Sequence, residues 1–192
     1  MVIWRAISGR WPSGYHAVVV ELDMALFSEA VQKTIAAEGG YFKNTVTGEV
    51  VNHGITSAFL AGHGLPSLDA DVQALTVNQA INLYHEFFWT PLLGDEILDQ
   101  ALANKVFDVE VNQGGIAVKE LQQAVNSLQL GGAVIQDDGV MGKLTIAAVN
   151  ALPPSNLLTQ FRAEVADRYR EIAAENPKLA GDLAGWLTRL AS

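Results

Sequence analysis

A glutamate at the end of an apolar helical stripe is the first residue of this chain suited to acid–base chemistry. Residues 23 to 38 place Phe27, Val31, Thr34, Ile35 and Glu38 on one helical face at the i, i+4, i+7, i+8, i+11 spacing, and Gly39 and Gly40 follow directly. An apolar surrounding disfavours the carboxylate, and the negative end of a helix dipole disfavours it further, so both act to keep the proton on Glu38 near neutral pH. A carboxylic acid held in that way can serve as a general acid. The two glycines let the backbone turn sharply and leave room beside the carboxyl for a bulky substrate. The same letters also have a plain reading, since Glu is a good helix former and Gly a common helix stop.

Other chemistries find less support. His16, His53, His63 and His85 show no H-E-x-x-H spacing and the chain has no cysteine, which disfavours a zinc amidase or endopeptidase. No G-x-S-x-G elbow or phosphate-cradling loop is present, and Asp137-Asp138 is too little for an EF-hand. The reading is therefore of a site with no metal and no cofactor. Lys+Arg 12 against Asp+Glu 21 gives a net charge of −9, which repels nucleic acid at long range. "HAVVVELDMALF" is interrupted by Glu21 and Asp23, so no membrane span is expected, and the first 16 residues carry no legible signal peptide.

The elements that must position Glu38 are mostly helical. Residues 192 in number and 49% hydrophobic suffice for one domain or two small ones on a shared core. After the first helix, "YFKNTVTGEVVNHGIT" loses the helical period and turns around Thr47-Gly48, the pattern of a short hairpin. "LTVNQAINLYHEFFW" returns to helix through Ala80, Ile81, Tyr84 and Phe88 and stops before Pro91, and "DEILDQALANKVFDVEVNQG" is a further helix ending at Gly114-Gly115. Ala117, Leu121, Ala124 and Leu128 form the next stripe. A glycine-rich link leads to a helix from Lys143 to Leu152, stopped by Pro153-Pro154. Leu158, Phe161, Val165, Tyr169 and Ile172 are in phase, then a break at Asn176-Pro177 precedes Leu179, Leu183, Trp186 and Leu190. No fixed repeat is present. The fold class is mainly α with one small β-hairpin after the first helix.

The ordered set "EGGYF", "VNHGIT", "VFDVEVNQG", "LQQAVN", "DDGVMGKLT" and "GWLTRL" resembles glycoside hydrolase family 108 over about residues 23 to 190. These are lysozyme-like N-acetylmuramidases of phage endolysins and of bacterial proteins once called secretion activators, with a predicted peptidoglycan-binding domain in the C-terminal half. The resemblance implies a lysozyme-like catalytic region at 23–104, a helical peptidoglycan-binding region at 105–192 packed on the same core, and an N-terminal extension at 1–22. It implies Glu38 as the catalytic acid that protonates the leaving oxygen of the β-1,4 bond between N-acetylmuramic acid and N-acetylglucosamine. The implied partner is the glycan strand of peptidoglycan. The protein would act on the wall, in the periplasm or outside the cell, after being made and held in the cytoplasm.

A second group must stabilise the oxocarbenium-like centre or activate water. Glu49 is the first candidate, because a hairpin from Tyr41 to Asn52 folds it back toward the helix end. Here the chain departs from the family pattern: "VTGEVVN" stands where D-x-G-G-x-T-N is usual, with Glu49 and Val51 in place of glycine and threonine. Asn52 and Thr56 match the family and could position a water; alternatively Asn52 caps the next turn and Thr56 is an N-cap. Asp108 and Asn112, four apart, share a helical face and could line the cleft opposite Glu38, or tie this helix to the hairpin. Tyr41, Tyr84 and Trp89 could stack on sugars, with core packing favoured for Tyr84. Asp138, Gly139, Gly142 and Thr145 match the D-G-x-x-G-x-x-T turn of peptidoglycan-binding modules, in which the Thr can cap the next helix. Two other readings remain: a wall-binding or secretion-associated module without turnover, and a lytic transglycosylase whose single Glu makes both proton transfers.

Overall fold

The computed structural model describes residues 24–38, 40–44, 48–129 and 134–192, with the backbone alone at 37 and 38. The extension at 1–22, His16, Gly39, Thr47 and the side chain of Glu38 lie outside the described residues. The first helix, α1 (Phe27–Glu38), is followed by strands β1 (Phe42–Lys43), β2 (Val50–Asn52) and β3 (Ile55–Thr56). Next come α2 (Ser57–Gly62), α3 (Asp69–Gln73), α4 (Val77–Tyr84) and α5 (Gln100–Gln113). The C-terminal half holds α6 (Ala117–Leu128), α7 (Lys143–Ala151), α8 (Pro154–Glu175) and α9 (Leu183–Ala191). The three strands form one antiparallel sheet in sequence order. The chain is thus mainly α with the small β excursion that the sequence pattern predicts.

The α1 stripe packs as its spacing requires, with Val31 and Thr34 buried and Phe27 and Ile35 half-buried. Phe27 enters an aromatic cluster, edge-on to Phe107 and tilted against Trp89 at centroid distances of 5.9 and 5.6 Å. The chain entering α1 is held from the other side. Gln100 Oε1 accepts from the Leu26 amide at 2.6 Å, and its Nε2 donates to the Leu26 carbonyl at 3.1 Å. These contacts fix the axis along which Glu38 is presented.

The α4 helix runs on into one π turn, His85–Trp89. Five residues on a regular α-helix turn through about 140° beyond a full revolution, which would point Tyr84 and Trp89 to different faces. The wider turn brings both into the core, each 1% exposed. Trp89 Nε1 donates to Asp95 Oδ1 at 2.7 Å, and Gly94 lies so close to the indole that a Cβ there would overlap it.

The C-terminal half is built on α6 and α8, whose apolar faces pack together. Ala117, Leu121 and Ala124 on one, and Leu157, Phe161 and Val165 on the other, are completely buried. Burial of each large aliphatic or aromatic side chain contributes roughly 1.5–3 kcal/mol. Pro154 is the first residue of α8, so the Pro153-Pro154 pair both stops α7 and starts the next helix. The two halves are stitched at named points: Asn150 accepts from the Leu98 amide at 3.0 Å and donates to the Glu96 carbonyl at 2.8 Å.

Candidate functional site

The hairpin starts four residues after Glu38, so Phe42 lies within about 14 Å of it along even a fully extended chain. Phe42 pairs with Val51 and Lys43 with Val50, and Val51 and Asn52 pair with Thr56 and Ile55. Directly opposed residues share a face of a sheet, so Phe42, Val51 and Thr56 form one row and Asn52 and Ile55 belong to the other face. The second face is the core side, with Val50 and Ile55 buried. The first face is open: Phe42 is 60% exposed. Glu49, two residues before Val51, belongs to this open face by alternation and is exposed. The Asn44 amide donates to the Glu49 carbonyl at 2.8 Å, which extends the β1–β2 ladder to that residue.

The structure therefore keeps Glu49 and Thr56 on the open face and turns Asn52 away from it. Asn52 Nδ2 lies 3.0–3.2 Å from the carbonyls of Val72, Gln73 and Leu75, so the side chain ends α3 rather than the adjacent turn. Thr56 Oγ1 accepts from the Phe59 amide at 3.0 Å and is the N-cap of α2. Between them His53 and Gly54 have φ of 51° and 79°, as a two-residue hairpin turn needs. Tyr84 Oη donates to the His53 carbonyl at 3.1 Å and fastens this turn to α4. Each residue of "NHGIT" thus has a job in holding the sheet.

Among the aromatic candidates, Tyr41 is 46% exposed and available to a ligand, whereas Tyr84 and Trp89 are interior. Phe42 is an exposed aromatic group that the sequence reading passed over. Its signal is the strand register, which alternation alone does not supply for a two-residue strand.

Asp108 and Asn112 share a face of α5, as their spacing requires, but that face meets the C-terminal helices and not the hairpin. Asp108 Oδ1 pairs with Arg189 Nη2 at 3.0 Å, and its Oδ2 lies 3.4 Å from Lys105 Nζ. Asn112 Nδ2 donates to Tyr169 Oη at 3.0 Å. The physical reason is the polarity of α5: its apolar residues Val106, Phe107 and Val109 occupy the core side, which leaves Asp108 and Asn112 to face α8 and α9.

"LQQAVN" and "DDGVMGKLT" prove to be one structure. Gln122, 1% exposed, donates through Nε2 to Asp138 Oδ1, the Val140 carbonyl and Thr145 Oγ1 at 3.0–3.2 Å, and its Oε1 accepts from the Gly139 amide at 2.8 Å. Asn126 makes a two-way amide bond with the Ile135 backbone at 2.9 Å. Gly139 has φ of 73°, and Asp138 takes the Val140 amide at 2.9 Å. Thr145 is buried against Gln122; the N-cap of α7 is Gly142, without a side-chain bond. The Val118–Gln122–Val125 spacing, a polar residue inside a second apolar stripe, is the signal that marks Gln122.

One buried carboxyl, Glu120, and one half-buried carboxyl, Glu110, lie between α5, α6 and α8. Glu120 is 5% exposed, and neither carboxylate oxygen has a hydrogen-bond partner. Burial pushes its carboxyl up to about 7, opposed by Arg168 and reinforced by Glu110, Glu164 and Glu171. Burial raises Glu110 too, against a hydrogen bond from the Ala117 amide. Among the described residues no cluster of His, Cys, Asp and Glu is arranged to hold a metal ion, and no helix is long and apolar enough to cross a membrane.

Residues 31–114 match the family model Glycosyl hydrolase 108, and residues 116–191 match the Predicted Peptidoglycan domain. A comparison with curated proteins gives no match. Among solved structures the chain is similar to SagA of Brucella abortus, at 27% identity and a TM-score of 0.70, over 86% of this chain and 89% of that one. A match to a glycosyl hydrolase model is thus followed by a match to a predicted peptidoglycan domain, in the order that the motifs imply, and residues 105–114 fall in the first match.

Proposed function

We propose that the chain is a muramidase that hydrolyses the glycan strand of peptidoglycan, a reading supported by the match of residues 31–114 to the Glycosyl hydrolase 108 model and of residues 116–191 to the Predicted Peptidoglycan domain. Its substrate bond is the β-1,4 link between N-acetylmuramic acid and N-acetylglucosamine, and the general acid is Glu38. The observation that carries this reading is the open sheet face beginning four residues beyond Glu38, with Glu49 exposed on it and the 108 family match spanning both.

Glu38 donates its proton to the departing glycosidic oxygen, and Glu49 stabilises the oxocarbenium-like centre or takes a proton from the attacking water. Tyr41 and Phe42 supply apolar surface for sugar rings, and Thr56 borders the same face. Asn52 acts indirectly, by anchoring β2 to α3, and Asp108 and Asn112 by anchoring α5 to the C-terminal helices. Substrate is met at the cell wall, in the periplasm or outside the cell.

Digestion of purified peptidoglycan by the wild type and Glu38→Gln, with mass spectrometry of the soluble fragments, tests this. Reducing muramic ends from the wild type alone support the hydrolase. Anhydro ends would identify a lytic transglycosylase, and wall binding without fragments from either protein would identify a module without turnover.

A further inference from the structure

We propose that the segment from Val134 to Leu144, laid along α6, is a docking surface for the peptide stem of peptidoglycan. Its aliphatic side chains are turned outward: Val134, Val140 and Leu144 are 73%, 64% and 80% exposed. Among the described residues of the 116–191 match, no other large hydrophobic side chain is so placed. Single exposed apolar residues are ordinary on a surface, but several gathered in one short segment mark a contact site.

The exposure is built into the fold. The segment runs antiparallel to α6: the Ile135 backbone is held by Asn126, Asp137 by Gln123 at 3.2 Å, and Asp138, Gly139 and Val140 by Gln122. Gly139 lies beside Lys119, where a Cβ would stand 3.9 Å from that of the lysine. Met141 enters the core and Ile135 packs against it. The segment is thus anchored on its inner side by polar bonds and two apolar contacts, while Val140 and Leu144 take no part in the interior. A surface held in this way loses little conformational freedom when a ligand settles on it.

The chemistry of the surface selects its occupant. No aromatic residue occurs between Val134 and Leu144, so no ring is there for a sugar face to stack on. Aliphatic tips suit the methyl and methylene groups that the alanine and diamino residues of a stem peptide supply. Lys119 and Lys143 are exposed beside Val140 and Leu144, and Asp137 and Asp138 bring the opposite sign farther along the segment. A stem peptide carries both carboxylates and an amine, which matches a lining of both signs. From Lys119 to Asn126 the helix rises about 10.5 Å, the span of about three extended residues. The choice of the stem rests on the peptidoglycan partner of the reading above and not on hydrolysis.

Calorimetric titration of the full chain with N-acetylmuramoyl pentapeptide and with a peptide-free N-acetylglucosamine oligomer tests the assignment. Val140→Ser/Leu144→Ser is expected to weaken the pentapeptide about tenfold or more and to leave the oligomer as in the wild type. Lys119→Glu changes one exposed charge and is expected to weaken the pentapeptide about threefold or more, by an amount that shrinks at high salt. Unchanged pentapeptide affinity in the double variant would overturn the proposal, as would a wild type that does not bind the pentapeptide. An equal loss for the oligomer would overturn it in favour of a sugar site. Digestion is read separately: silent digestion with the expected pentapeptide losses removes the muramidase reading alone, and normal digestion with an unaffected pentapeptide removes this proposal alone.

Discussion

The hairpin after α1 and the interior between α5, α6 and α8 both present carboxyl groups, and they present them in opposite ways. On the hairpin, Glu49 stands exposed on an open sheet face beside Phe42 and Thr56. In the interior, Glu120 is sealed off, its oxygens have no partners, and its carboxyl is pushed up to about 7. A raised carboxyl is a mark of a general acid, yet here it occurs where no glycan strand can enter. The lesson is that a shifted proton affinity identifies chemistry only when the group also faces a space that substrate can occupy.

Replacing the exposed carboxylate, Glu49→Gln, is expected to lower turnover on peptidoglycan roughly 100-fold or more while wall binding changes little. Unchanged turnover would remove Glu49 from the machinery and leave Thr56 or another group to handle the water.

The buried carboxyl should report on stability. Glu120 has a folded-state affinity raised from 4.5 to about 7, so the folded protein keeps a proton that the unfolded chain has released. Its cost is absent below about pH 4.5, grows between there and pH 7, and is complete above. Glu120→Gln should therefore stabilise the protein by up to roughly 3 kcal/mol at pH 8 relative to its effect at pH 4, measured by denaturant unfolding at both values. A difference that grows as pH falls would contradict the sign.

A smaller effect is expected from Gln122→Ala, which removes the amide joining Asp138, Gly139, Val140 and Thr145. A loss of about 1–3 kcal/mol in unfolding free energy is expected, since buried partners are left unsatisfied. If the wild-type urea midpoint survived, the 134–142 segment would need another anchor. Phe42→Ala is expected to have the least effect, about 0.5–1.5 kcal/mol in KM at constant kcat, as an aromatic platform is lost. A fall in kcat alone would place Phe42 closer to the reacting atoms.

Much of the architecture was legible because it rests on period. The stripes through Val31, Leu121, Phe161 and Leu190 are core-facing as their spacing requires, and the stops at Gly114 and Asn176-Pro177 fall where backbone chemistry demands. What the pattern does not carry is the partner across space. Asp108 and Asn112 read as a polar pair on one helix face, but only packing shows that the face meets Arg189 and Tyr169. Asn52 reads as a cap, and the fold supplies α3, some twenty residues away, as what it caps. Trp89 reads as a possible sugar platform until the π turn after α4 rotates it inward against Gly94. Phe42 and the outward-facing segment along α6 were illegible for the same reason: each is positioned by elements that are neighbours only in the folded chain.

The most direct test sets the two carboxyl environments against each other. Release of reducing muramic ends from purified peptidoglycan is measured for the wild type, Glu38→Gln and Glu120→Gln at equal concentrations of folded protein. Glu38→Gln is expected to be silent and Glu120→Gln to cleave at a rate close to wild type. Cleavage by Glu38→Gln, with Glu120→Gln silent, would contradict it and move the acid to the interior.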